Sequence, residues 1–387
     1  MDTRSNTPST LAAAPAGIVA AIVGYASSFA IILKGLTGVG ADPAQAASGL
    51  MALSLGLGLC GILLSLRTRM PITVAWSTPG AALLASTGHI EGGFAAAVGA
   101  FLVAGALVVL SGLWKRLGLL VAAIPGCLAN AMLAGVLLDL CFAPVRAVGA
   151  MPALALPVVL AWLIVARFKR LYAVPVALLV AILLIVATTH APGLALWSGP
   201  VLITPTFSIA ALVGIALPLY IVTMASQNVP GLAVLNANGY APSPGPLLTS
   251  TGLMSMAAAP FGGHSICLAA ITAALCAGKD AHPDPSRRYV AAVAAGVTYV
   301  VLGLLSGAAI AFISLAPPLL IEAVAGLALL GAFGSAMMAA IQQPSDREAA
   351  VITFLVTASG LTLFGIGGAF WGLVAGGIVY GLGRWRS

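Results

Sequence analysis

Ala75-Trp76-Ser77-Thr78-Pro79-Gly80-Ala81-Ala82-Leu83-Leu84 and Pro260-Phe261-Gly262-Gly263-His264-Ser265-Ile266-Cys267-Leu268-Ala269-Ala270 decide the reading of this chain. Each puts helix breakers and small polar residues just before an apolar run too short to span a membrane. A helix that starts inside a membrane leaves its first backbone N–H groups without partners. Those groups must face a cavity, and the helix dipole favours an anion there. Paired, Gly/Pro-broken segments in corresponding halves point to the binding site of a secondary transporter.

The composition agrees. Of 387 residues, 61% are hydrophobic and 6% charged, against about 25% charged in a soluble domain. The apolar runs are about 20 residues long, as helices crossing a bilayer require, and barrel-type alternation is missing. The fold class expected is therefore an all-α polytopic membrane protein. About fourteen apolar segments can be read, at 14–34, 46–66, 71–87, 93–113, 118–140, 150–166, 171–189, 207–233, 247–259, 261–277, 288–312, 316–341, 349–366 and 368–384. Segments three and ten are the broken half-helices.

Positive charge tests this count. With a cytoplasmic N-terminus, Arg67 and Arg69, Lys115 and Arg116, Arg167, Lys169 and Arg170, Lys279, Arg287 and Arg288, Arg347, and Arg384 and Arg386 all follow even-numbered segments. With Arg4, that puts 14 of the 16 Lys+Arg on one side, leaving out only Lys34 and Arg146. This bias implies a multi-pass inner-membrane protein with both termini cytoplasmic. The net charge of +7 is then a topology signal, and no nucleic-acid partner is expected.

The halves resemble each other. Ala96, Ala97, Val98, Ala100, Leu107, Leu110, Ser111 and Gly112 recur as Ala291, Ala292, Val293, Ala295, Leu302, Leu305, Ser306 and Gly307, an offset of 195 residues. Seven spans is an odd number, so the second copy must be inverted. The whole chain, 1–387, is read as one transport unit, with inverted repeats over 12–190 and 205–387.

Several polar residues are candidates for the site. Ser77, Thr78 and Gly80 stand at the start of segment three, where a hydroxyl can cap the helix or meet a ligand. Gly262 and Gly263 allow close backbone approach or a tight turn. His264 is the one histidine placed in a membrane core, since His89, His190 and His282 fall in loops. An intramembrane ionisable group suggests function, and imidazole suits reversible protonation. Ser265 beside it is a second ligand or a cap. Gln227 and Asn228 lie mid-segment eight, as substrate ligands or as amides pinning that segment to a neighbour. Tyr25 and Phe29 share a helix face and, with Trp76 and Phe261, could line an aromatic slot or pack against lipid and core. Glu322 is either a proton relay or a solvated interfacial residue; for Asp139 the bland reading is preferred. The five cysteines show no metal spacing, and no ATP-binding or catalytic motif is present. No enzyme activity, metal or cofactor is expected.

Three stretches carry a resemblance: the Ala75–Leu84 and Pro260–Thr272 segments and Ser226-Gln-Asn-Val-Pro-Gly-Leu-Ala-Val-Leu235. They resemble the benzoate membrane transporter family of benzoate/proton symporters, and more distantly the uracil and nucleobase–ascorbate transporters. The resemblance implies a seven-plus-seven inverted repeat. A core domain (segments 1–4 and 8–11) would move against a gate domain (5–7 and 12–14) in alternating access. In those relatives acids on segments eight and ten bind substrate and couple protons; here Gln227 and His264 stand at those places. An amide and an imidazole tolerate a carboxylate that two acids would repel. The implied partners are a small aromatic carboxylate, a proton and the lipid bilayer, with a homodimer left open. A symporter of a nucleobase or other planar anion, and a small-anion channel, are the alternatives.

Overall fold

The two broken stretches pair with each other. Val74–Trp76 (β1) and Ile266–Leu268 (β2) run antiparallel, with Val74 opposite Leu268, Ala75 opposite Cys267 and Trp76 opposite Ile266. Unwound backbone in a bilayer must find partners within the protein, and each strand supplies them to the other. The ladder continues at both ends: Ser77 N–H donates to the Ser265 carbonyl at 3.1 Å, and Ala269 N–H to that of Thr73 at 3.0 Å. The computed structural model describes residues 10–88, 90–114, 125–188, 197, 199–309, 316–364 and 366–385. His89, His190, Arg4, Lys115, Arg116 and Arg386, used in the charge and loop reading, lie outside the described residues.

Helices lie in each apolar segment in turn. They are α1 (Ala14–Gly38), α2 (Pro43–Thr68), α3 (Thr78–Thr87), α4 (Gly93–Leu113), α5 (Gly126–Ala150), α6 (Pro152–Phe168) and α7 (Ala173–Thr188) in the first half. The second half holds α8 (Ile209–Ala237), α9 (Pro244–Ala258), α10 (Ile271–Ala277), α11 (Tyr289–Leu304), α12 (Pro318–Ala340), α13 (Arg347–Ala358) and α14 (Gly368–Trp385). Among the described residues, eight helices are long and apolar enough to cross a membrane.

The second break differs from the sequence reading. The half-helix does not start at Phe261; α10 begins ten residues later, at Ile271. A 3₁₀ turn over Ala259–Phe261 ends at Gly262, whose φ of 92° is left-handed, a conformation glycine adopts without cost. Gly263, His264 and Ser265 then lead into β2. The chain stays extended there because β1 needs a partner more than α10 needs another turn. A second shift concerns Arg146, expected between segments: it lies within α5, paired with Asp139 at 2.8 Å.

Neighbouring side chains satisfy the far edge of β2. Ser255 Oγ, on α9, accepts the Ile266 N–H at 2.8 Å and lies 3.0 Å from its carbonyl oxygen. Asn228 Oδ1, on α8, accepts the Leu268 N–H at 2.9 Å. Around this crossing α2 packs along α11, α4 along α9, and α5 along α12. The α2–α11 contact is close because both faces are glycine: a Cβ on Gly58 or Gly296 would stand 2.6 or 2.7 Å from the other's carbonyl oxygen. Small residues of this kind let membrane helices touch backbone to backbone.

Ser255→Ala leaves the Ile266 N–H buried without a partner. We expect a loss of about 1–3 kcal/mol in stability, read as a lower melting temperature of the detergent-solubilised protein; an unchanged melting curve would show that β2 does not need this contact.

Candidate functional site

A cavity of about 150 Å³ opens beside the strand crossing. Its walls come from α1 (Ala20, Gly24, Ser27), β1 (Trp76), the first turn of α3 (Thr78), α8 (Gln227), the start of α10 (Ala270, Thr272), α11 (Tyr299) and α12 (Ala328, Leu329, Ala332). Among the described residues the lining is mostly apolar and contains no charged side chain. An apolar cavity of about 150 Å³ is large enough for one benzene ring.

Aromatic rings build one wall. Trp76 meets Tyr299 edge-on at 5.9 Å between centroids, and Tyr25 lies against Trp76 at 5.4 Å. Phe29 stacks on Tyr25 at 5.7 Å. The Trp76 Nε1–H donates to Ser28 Oγ at 2.8 Å, which donates to the Gly24 carbonyl at 2.6 Å. That chain fixes the indole plane. Thus Trp76 and Tyr299 face the cavity, while Tyr25 and Phe29 buttress them from behind.

Polar groups come from three directions. Thr78 stands at the first position of α3, and Thr272 at the second of α10. Thr272 Oγ1 is buried with no hydrogen-bond partner among the described residues. Gln227 sits in a π turn over Met224–Asn228, a local widening that is frequent at functional sites. Two threonine hydroxyls and a carboxamide are all uncharged donors.

The adjacent polar residues do structural work. Ser77 is fully buried and caps α3: its Oγ accepts the Gly80 N–H at 3.1 Å and the Thr223 hydroxyl at 2.8 Å. Its carbonyl accepts Ala81 N–H at 2.9 Å. Pro79 lacks an N–H, and the Gly80 and Ala81 N–H groups of the first turn of α3 go to Ser77. Side-chain hydroxyls are the further donors at this end. Gly80 leaves room for Leu219, whose Cδ1 would lie 2.5 Å from an added Cβ. Asn228 is the β2 pin already described and also donates to Met224 Sδ at 3.2 Å.

The remaining expected residues lie elsewhere. Gly262, Gly263, His264 and Ser265 precede β2 and do not line the cavity. His264 is fully buried against Phe101, and its Nε2–H donates to the Ser77 carbonyl at 2.9 Å. That bond fixes the neutral ring with a bare Nδ1, which has no hydrogen-bond partner among the described residues. Phe261 lines a separate apolar groove with Met254, Trp197 and Leu59. Glu322 pairs with Lys34 at 2.9 Å. Sequence reasoning missed Thr272, Tyr299 and Ser27. Thr272 could have been found only by placing the start of α10 correctly.

The sequence matches the family described as BenE, benzoate membrane transport protein, over residues 7–382. It is 43% identical to an inner membrane protein, YdcO, of Escherichia coli K12, covering 94% of both chains. It is 34% identical to a benzoate membrane transport protein of Acinetobacter baylyi, over 96% of this chain and 94% of that one. Among solved structures, it resembles the transmembrane domain of the cyanobacterial bicarbonate transporter BicA, with a TM-score of 0.62 and 14% identity over 94% of this chain and 96% of that one. SLC26A9 matches with a TM-score of 0.63 and 12% identity, over 97% of this chain and 65% of that one. These two likenesses establish a shared fold.

Thr272 and Asn228 should respond oppositely to loss of their polar atoms. Thr272→Val removes an unpartnered hydroxyl at constant shape, so the melting temperature stays or rises. Asn228→Leu orphans the Leu268 N–H and costs about 1–3 kcal/mol. Equal destabilisation by both, in thermal unfolding, would mean Thr272 Oγ1 is satisfied in the protein.

Proposed function

We propose that this chain, which belongs to the benzoate membrane transport protein family, carries a small aromatic carboxylate, benzoate first, into the cell together with a proton. The observation that carries the reading is the cavity: room for one ring, aromatic walls, and uncharged donors from two half-helices. The ring would lie against Trp76 and Tyr299. The carboxylate would take hydrogen bonds from Thr78, Thr272 and Gln227, in the positive field at the start of α3.

The missing cation is informative. A lone carboxylate in an apolar site without a counter-charge is costly to bury. A proton travelling with it removes that cost, which is the physical case for symport. His264 is our choice for the proton's stopping point. Its Nδ1 is free, and its other nitrogen holds the residue that opens α3.

Alternating access has its own support. Moving each helix number on by seven turns the α2–α11 contact into the α9–α4 contact and returns the α5–α12 contact to itself. The antiparallel pairing of β1 with β2 is likewise what two inverted copies require. The core (α1–α4, α8–α11) gives all cavity walls but one. The last, Ala328, Leu329 and Ala332 of α12, belongs to the gate (α5–α7, α12–α14). Rocking one against the other opens the cavity to either side, with both termini cytoplasmic as the charge bias asks.

Benzoate should bind the purified protein at least tenfold more tightly than benzamide, about 1.4 kcal/mol. A methyl-substituted benzoate should still compete, because an apolar wall discriminates one added carbon by only ~1–3 kcal/mol. Equal binding of benzamide, or displacement by uracil, would move the substrate to a neutral planar ring. A separate measurement addresses the proton. His264→Gln keeps a donor for the Ser77 carbonyl but cannot take up a proton. We expect benzoate binding to persist while uptake into proteoliposomes stops responding to an imposed pH gradient; a retained response moves the proton to another group.

A further inference from the structure

Lys34 and Glu322 are the ionic contact between α1 and α12, at 2.9 Å, with side chains 28% and 32% exposed. Both lie on the stripes that line the cavity. On α1, Ala20 and Ser27 face it, and Lys34 continues the same sevenfold spacing. On α12, Leu329 faces it, and Glu322 stands seven residues before. Seven residues are two turns, roughly 10 Å of helix. On both helices those two turns run away from the cavity in the same direction. The pair therefore sits over the cavity as a cross-bar from core to gate, on the side that the charge bias assigns to the outside.

Charges in membrane helices are costly and pair when they occur. Stability alone does not account for this pair, because a third of each side chain is open to solvent and such pairs contribute little. A weak bridge between two moving bodies is what a gate needs. The lysine also has the right sign for the substrate. Its present partner is a carboxylate.

We propose that the Lys34–Glu322 pair is the closed outer gate of the cavity, and that an incoming carboxylate opens it by replacing Glu322 on Lys34. This rests on the transport reading above. Lys34 is then a transient outer binding site, and Glu322 its resident competitor. Once the substrate passes inward to Thr78 and Thr272, the lysine returns to Glu322 and the bar closes behind it.

Two measurements test this. The first needs no substrate. Ala332→Cys places a thiol in the cavity wall, in a Cys141→Ser background because Cys141 is the one native cysteine not fully buried. A membrane-impermeant thiol reagent added to intact cells should label it about tenfold faster when Lys34→Gln or Glu322→Gln is added. The charge-swapped pair, Lys34→Glu with Glu322→Lys, should return the rate towards that of the parent. Equal rates in all four proteins overturn the gate.

The second is benzoate uptake. Lys34→Gln should raise the external KM tenfold or more, with binding to the detergent-solubilised protein unchanged. Glu322→Gln should lower the external KM, about threefold, and slow turnover. A purely structural pair would shift both variants in the same direction, and that result overturns the exchange of carboxylates. Failure of the unaltered protein to bind benzoate defeats the transport reading instead, while the labelling still decides the gate.

Discussion

A membrane interior offers no water to an unpaired backbone group, and the crossing of β1 and β2 is the answer this chain gives. Binding a polar ligand at mid-depth requires helices that begin there, and such helices require unwound chain before them. Two unwound segments are tolerable only because each pairs with the other, and because Ser255 and Asn228 take up β2's outward-facing groups. The same bonds tie the halves of the sequence together: Ser77 to Ser265, Ala269 to Thr73, and His264 to Ser77. Neither half-helix can shift alone without orphaning several buried groups. The elements on either side of the strand crossing are therefore tied into one body.

Adjacent residues divide the work at each corner of the site. Ser77 turns inward to cap α3, and Thr78 turns to the cavity. Asn228 turns to β2, and Gln227 to the cavity. In each pair the structural partner is fully buried and fully engaged, so its neighbour is free to bind without bringing down the fold. The π turn makes the second pair workable, since an extra residue in the turn lets two successive amides face different ways.

Much of this was legible in the sequence, and the misreadings have a common cause. The first break carries its own punctuation: Ser77 as cap, Pro79 in the first turn and Gly80 behind it. Local rules suffice there. The second break carries the stronger punctuation, Pro260 through Gly263, yet the half-helix does not start on it. Ala269-Ala270-Ile271 has no breaker, and its place is set by pairing with a strand 192 residues earlier, from Val74 to Ile266. No window along the chain contains that information. The displaced start hid Thr272 and placed Gly263, His264 and Phe261 beside β2 and away from the cavity lining. Gln227 stands out in the sequence because an amide is conspicuous in an apolar span. Lys34 stood out as an exception to the charge bias and Glu322 as an acid near a span, but their pairing across almost three hundred residues is not written in either neighbourhood.

The shortness of α10 poses a last question of stability. Seven residues cannot hold a helix by propensity, since a nucleus alone fixes half of them for a single hydrogen bond. What holds α10 is its ends. Its start grows out of β2, already fixed by the ladder. Its other end meets Arg288, a buried side chain that donates to the Ala277 carbonyl at 2.8 Å and to the His282 carbonyl at 2.7 Å. Both are neutral acceptors, so the guanidinium keeps its charge where the C-terminal carbonyls of a helix favour a cation. The favourable end field of α10 thus meets Arg288 on one side and the cavity on the other.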